Sequence, residues 1–328
     1  MKVNFENIVG KIKPMHAVGM PPMHGTRCEH FHYLKDAHIP YARLHDMGTN
    51  KLLPMVDISC IFPDMGADEN DAASYDFEYT DLLLTELIKN DCPPIFRLGE
   101  TIENARGKGY RPRYVFAPSD PAKWARVCEH IIRHYNEGWA DGFHYGIEYW
   151  EIWNEPDNGF QEPGEEINMM WVGTDEQYYE LYCVTAKHLK ACFGDMIKVG
   201  GYASCGAYAI FNEPEKYGVP AELKEVYSER YVRFLRFMDG FLDCVKKENA
   251  PLDFFSWHSY GDVTRTLWME KYTEHVLCER GFTPEIHMNE WNNACTVEKR
   301  GTAYAAAQGT AMLLAMQNTK IDMLCYYD

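Results

Sequence analysis

Tyr149-Trp150-Glu151-Ile152-Trp153-Asn154-Glu155-Pro156 is a run of bulky, strand-prone residues that stops on Asn-Glu-Pro. Aromatic and β-branched side chains in so short a run read as a buried strand, and the proline ends it. A carboxylate, Glu155, is thereby delivered to the strand's carboxyl tip. Much later Ile286-His287-Met288-Asn289-Glu290-Trp291 has the same form and delivers Glu290. Two carboxylates on separate strands suggest cleavage of a glycosidic bond. One protonates the leaving oxygen while the other attacks or activates water, and a separation of about 5–5.5 Å goes with retention of configuration.

Working outward from these two runs, short apolar strands alternate with amphipathic helices along the whole chain, the pattern of repeated βα units around a parallel sheet. Strands are expected at Met15–Met20, Tyr41–Leu44 (with Val56–Phe62 as an outlying extension), Ile95–Gly99, Tyr149–Asn154, Lys198–Tyr202, Phe254–Tyr260, Ile286–Glu290 and Met323–Tyr327. Helices are expected at Cys28–Asp36, Glu78–Asn90, Pro121–Asn136, Glu176–Cys192, Glu229–Glu248, Thr266–Arg280 and Gly301–Gln317. Ser119-Asp120-Pro121 and Thr174-Asp175-Glu176 carry helix-start chemistry, a capping side chain or acidic residues in the first turn. Eight strands and seven helices predict a single (β/α)8 TIM barrel domain over residues 1–328, ending at its eighth strand without a final helix. The uncovered strand faces then require Met1–Lys13, a second copy in a homo-oligomer, or further chain beyond Asp328; continuation of the chain is the preferred expectation.

A chain of 328 residues, 46% hydrophobic and 25% charged, has ample material for one large core. Its 49 acidic against 32 basic residues give a net charge of −17, which opposes nucleic acid and anionic membranes as partners. A neutral sugar substrate fits better. No export signal or membrane-length apolar run is visible. The 11 cysteines form no CxxC pair and are read as reduced thiols, giving a cytoplasmic expectation.

At the carboxyl ends of barrel strands, side chains converge on one mouth. Arg43 and His45, Arg97 and Glu100, Asn154 and Glu155, His258 and Tyr260, and Asn289, Glu290 and Asn292 occupy such tips. Polar groups there are costly to bury without purpose. Glu155, beside Trp153 and Pro156, is the expected acid/base, with its pKa raised by desolvation. Glu290 is the expected nucleophile, kept ionised by Arg43 and Tyr260. Asn154, His45 and His258 are candidate hydroxyl-binding groups, and Trp291 with Trp153 a candidate stacking wall. A metal-dependent barrel hydrolase is the competing class. His30 and His32 sit two apart in a helix and point to different faces, so no metal and no organic cofactor are expected. A noncatalytic sugar-binding barrel would need one of the glutamates to be lost.

These residues together resemble a clan A glycoside hydrolase, most closely glycoside hydrolase family 39, whose members include β-xylosidases and α-L-iduronidases. The resemblance rests on Tyr41-Ala42-Arg43-Leu44-His45, Tyr149–Pro156, Phe254-Phe255-Ser256-Trp257-His258-Ser259-Tyr260 and Ile286–Trp291. It implies a retaining mechanism with Glu155 as acid/base and Glu290 as nucleophile. It also implies Asn154 and His45 near the sugar and Tyr260 beside the nucleophile. Two departures bear on the sugar: Glu100 stands where the family usually has an aromatic residue after Leu-Gly. Tyr326-Tyr327-Asp328 stands where its β-xylosidases have a tryptophan followed by acidic residues. A β-xylosidase-like exo-glycosidase is the default expectation, an endo-acting glycanase on plant polysaccharide the alternative.

Overall fold

The computed structural model describes residues 4, 6–8, 10–22, 30–45, 47, 55–101, 115–158 and 170–327. Eight strands close into a barrel in chain order: β1 Ala17–Gly19, β2 Ala42–Leu44, β3 Pro94–Leu98, β4 Tyr149–Ile152, β5 Lys198–Ser204, β6 Phe254–Ser259, β7 Glu285–Trp291 and β8 Ile321–Tyr326. Every neighbouring pair is parallel, and β8 pairs back onto β1. The helices are α1 Phe31–Asp36, α2 Ile58–Ile61, α3 Glu78–Lys89, α4 Pro121–Asn136, α5 Asp175–Phe193, α6 Glu229–Glu248, α7 Val263–Glu279 and α8 Ala303–Met316. This is the expected (β/α)8 barrel, and among the described residues no helix follows β8.

Local chemistry accounts for the helix starts. Asp120 caps α4, its carboxylate accepting from the Lys123 amide at 2.9 Å, with Pro121 in the first turn. Thr174 and Gln177 close a reciprocal capping box at α5. One element departs from the sequence reading. Val56–Phe62, expected as a strand extension, contains the short helix α2 instead. Val56 sits at φ 64°, a costly conformation for a β-branched residue that ends any extended run. Asp57 beside it is held by Arg97 at 2.6 Å and by the Thr101 amide at 3.0 Å, which fixes the turn into α2.

Alternate residues on each strand face opposite sides, so the barrel interior is built in levels. Ala17, Ile95, Tyr149, Phe254, Met323 and Cys325 form a buried cluster separate from the helix–sheet core, with Tyr41 against it. Two residues further along several strands lie Arg43, Arg97, Glu151 and Ser256, all fully buried. The apolar level plugs the base, and the polar level carries the mouth.

Lys13 ties the N-terminal segment to the turn entering β8, donating to the carbonyls of Thr319 at 2.5 Å and Ile321 at 2.8 Å. Leu324 of β8 is fully buried, whereas Leu314 and Tyr304 of α8 are 65% and 50% exposed.

Candidate active site

Two different backbone devices bring the glutamates together. After β4 the chain takes positive φ at Trp153 (70°) and again at Glu155 (47°), and Ala203 at the tip of β5 does the same (57°). Left-handed conformations at non-glycine residues are strained and persist where neighbours hold them. Here the Glu155 amide donates to the Ala203 carbonyl at 3.1 Å, and the Ala203 amide to Ser256 Oγ at 2.9 Å. On β7, strict alternation would turn Asn289 inward and Glu290 outward. The register against β6 jumps instead, from Trp257 opposite Met288 to His258 opposite Glu290, so Asn289 is an inserted residue. That bulge aims Asn289 and Glu290 at the barrel axis together.

The polar level beneath the mouth is a closed network. Glu151 accepts from Arg43 Nε at 2.7 Å and from Ser256 Oγ at 2.6 Å, and also from the Asn289 amide. Arg43 reaches up to Asn154 Oδ1 at 2.6 Å and to Glu290 at 3.3 Å. A buried charge is tolerable only when paired and hydrogen-bonded, and both ions here meet that condition.

Glu290 thus faces a guanidinium and, at 2.5 Å, the Tyr260 hydroxyl. Burial and the charge of Glu290 push the Tyr260 phenol upward, so it remains a donor. Glu155 has other company. Its carboxylate receives His258 Nδ1 at 2.7 Å, the Asn158 amide at 3.4 Å and the Cys205 thiol. The expected upward shift of the Glu155 pKa does not occur: desolvation pushes up, but the hydrogen bond and charge of His258, joined by hydrogen bonds from Cys205 and Asn158, hold the carboxyl below its ordinary value. His258 is buried, which opposes its protonation, yet Glu290 and Glu155 together hold it above the usual imidazole value. The pair therefore stores its proton chiefly on the histidine and titrates as a unit. Two residues on, burial followed by the charge of Glu155 lifts the Asp157 carboxyl to about 7.

Donor atoms of Glu155, His258 and Glu290 all lie within 4.8 Å of one another. That spacing is close to the retaining arrangement and far short of the roughly 6.5–9.5 Å left for water in inverting enzymes. The same three atoms could surround a cation, although Arg43 already sets a fixed positive charge against Glu290. A cavity of about 470 Å³ opens over the two glutamates, lined also by His45, Asn154, Tyr208, Tyr227, Arg230 and Tyr327. Buried Asn154 Nδ2 and His258 Nε2 have no partner among the described residues.

Of the residues singled out from the sequence, Arg43, His45, Asn154, Glu155, His258, Tyr260 and Glu290 converge on this mouth. Two do not. Trp291 is 1% exposed, and its ring meets Tyr326 edge-on, since the bulge that turns Glu290 inward turns the next residue outward. Glu100 is bound by Ser59 Oγ at 2.6 Å and borders a separate hollow with Trp124 and Trp153, which takes Trp153 out of the sugar-facing wall as well. Sequence reasoning missed Glu151, Ser256 and Cys205. Glu151 left a signal, a carboxylate in the middle of an otherwise apolar strand.

The sequence model of "Glycosyl hydrolases family 39" matches residues 33–295, most of the chain. Among solved structures, a glucosidase from Croceicoccus marinus superposes with a TM-score of 0.73 at 24% identity, covering 97% of this chain and 60% of its own. CelM2, a bifunctional glucanase-xylanase from a metagenome library, gives 0.59 at 13% identity, covering 96% of this chain and 73% of its own. A psychrophilic family 10 endo-β-1,4-xylanase gives 0.52 at 11% identity, covering 96% and 87%. At these identities the superpositions speak to the barrel alone, and the chain spans only 60% of the length of the first of them. The family match, covering the strands that carry both glutamates, assigns the chain to glycosyl hydrolase family 39.

Proposed function

We propose that this chain hydrolyses a glycosidic bond with retention, Glu290 acting as nucleophile and Glu155 as acid/base. The observation that carries this reading is two carboxylates within 4.8 Å at one barrel mouth, with opposite partners. Glu290 is braced by Arg43 and Tyr260, whereas Glu155 shares a proton with His258. Attack by Glu290 on the anomeric carbon breaks the bond to the leaving oxygen, which takes the proton held by the Glu155–His258 pair. The covalent ester consumes the Glu290 charge, the largest of the influences holding the His258 pKa up. Water then attacks the same carbon, gives its proton back to the pair, and releases Glu290 as carboxylate. Atoms and protons balance over the cycle without metal or cofactor. Asn154 Nδ2 and His258 Nε2, unpartnered among the described residues, are suited to sugar hydroxyls.

A β-linked glycoside or oligosaccharide is the proposed substrate, with β-xylosidase-like exo action as the default and endo cleavage of a plant glycan as the alternative. The ten described cysteines are all unpaired, which supports a reducing, cytoplasmic setting. Among the described residues no helix is long and apolar enough to cross a membrane. A panel of aryl xyloside, glucoside, galactoside, arabinoside and iduronide identifies the sugar. Early product followed by NMR should carry the substrate's anomeric configuration. Inverted product, or activity lost to a chelator and restored by zinc, would overturn the reading.

A further inference from the structure

On the outer wall, away from the mouth, helices α4 and α5 bring three different ligand types to one point. His188 and Cys192 are four residues apart on α5, so they share a face. Glu129 on α4 faces them: its Oε2 lies 2.6 Å from His188 Nε2, and Cys192 Sγ lies 3.8 Å from that same nitrogen. All three donor atoms fall within 4.8 Å of one another, and all three residues are half-buried, open to an incoming ion. A tetrahedral zinc with bonds of about 2.0–2.1 Å to nitrogen and 2.3 Å to sulfur sets those two ligands about 3.6 Å apart. The observed spacing nearly matches it, and the Glu129–His188 contact has to open by less than about 1 Å.

Arg133, the nearest opposing charge, is already engaged. Its Nε binds the other carboxylate oxygen, Glu129 Oε1, at 2.8 Å, and its Nη1 binds Glu137. This orients Glu129 with Oε2 towards the histidine, as a supporting hydrogen bond does for a ligating carboxylate.

We propose that Glu129, His188 and Cys192 form a site for a borderline divalent cation of the zinc type, clipping α4 to α5, with water completing the coordination. Metal binding displaces the Cys192 thiol proton, so affinity rises with pH. The clip belongs to the barrel wall, so glycoside turnover does not depend on it.

Cobalt(II) titration of the whole chain tests this, because a thiolate ligand gives cobalt a near-ultraviolet charge-transfer band and a tetrahedral site gives strong visible bands. One equivalent should develop both, zinc should displace them, and zinc should raise the melting temperature. Cys192→Ser should abolish the charge-transfer band and the zinc-induced rise in melting temperature. Glu129→Gln, close in shape to the native residue, and His188→Ala should each weaken cobalt binding at least about 10-fold. The proposal fails if wild type develops no band. It fails equally if the band survives Cys192→Ser, which would put the thiolate at another cysteine, such as Cys205 or exposed Cys278 or Cys295.

Discussion

The tips of β4 and β7 deliver the same side chain by unlike means, and the difference prepares the two carboxylates for different work. Glu155 lies beyond the end of its strand, steered by left-handed backbone and matched to a histidine that shares its proton. Glu290 lies within its strand, turned inward by a bulge and braced by an arginine and a phenol. Backbone irregularity therefore decides which partners each glutamate meets, and the partners decide which form of the carboxyl is favoured.

Replacing each glutamate separately breaks the comparison most sharply. Glu290→Ala should lower kcat by about 10⁴-fold or more on every substrate, since no covalent intermediate can form. Glu155→Ala should cripple substrates with poor leaving groups while activated aryl glycosides still react in the first step. Azide should then restore turnover to the Glu155 variant and yield a glycosyl azide of retained configuration. If azide gives retained product from the Glu290 variant instead, the assignment of the two tips is reversed.

The network beneath both tips comes next in size. Glu151→Ala leaves Arg43 buried without its principal counter-charge, which should cost about 3–5 kcal/mol in urea unfolding. A loss below about 1 kcal/mol would mean that Glu290 alone suffices to balance Arg43. Asp157 sharpens the β4 side. Its carboxyl is lifted from an ordinary 3.8 to about 7, so the folded state binds that proton more tightly than the unfolded chain. The associated stability is full below about pH 4, falls as pH rises towards about 7 and is gone above it, a few kcal/mol in order of magnitude. Asp157→Asn should flatten this part of the stability–pH curve measured by chemical denaturation; an unchanged slope would assign it elsewhere.

How much of this was legible in the sequence follows from where regular geometry holds. Eight strands could be read because buried parallel strands are continuous apolar runs, and the glutamates because each ends such a run. What alternation mispredicts lies at the irregular positions. An alternating β7 would have turned Trp291 towards the mouth, but the Asn289 bulge turns it out against Tyr326. Val56–Phe62 is apolar enough for a strand, yet positive φ at Val56 and the Asp57–Arg97 pair wind it into α2. The Glu155 pKa was misjudged because its sequence neighbours, Trp153 and Pro156, are apolar. The group that sets it, His258, arrives from β6, 103 residues away in sequence.

Tyr260→Phe is the smallest and finest of these tests, confined to the β7 side. The hydroxyl donates to Glu290 at 2.5 Å, while Arg43 at 3.3 Å supplies the charge. Hydrogen bonds to charged groups are worth about 1.5–3 kcal/mol, but this one weakens as Glu290 loses its charge in forming the ester, so part of its strength stabilises the ground state. Removing it should misorient the carboxylate while making it more reactive, and the two effects oppose each other. A drop of about 10-fold in kcat, with KM little changed, is the expected balance. A fall approaching that of Glu290→Ala would show the hydroxyl to be indispensable to the chemistry, and the phenol, not the guanidinium, would then be the partner that defines the nucleophile's tip.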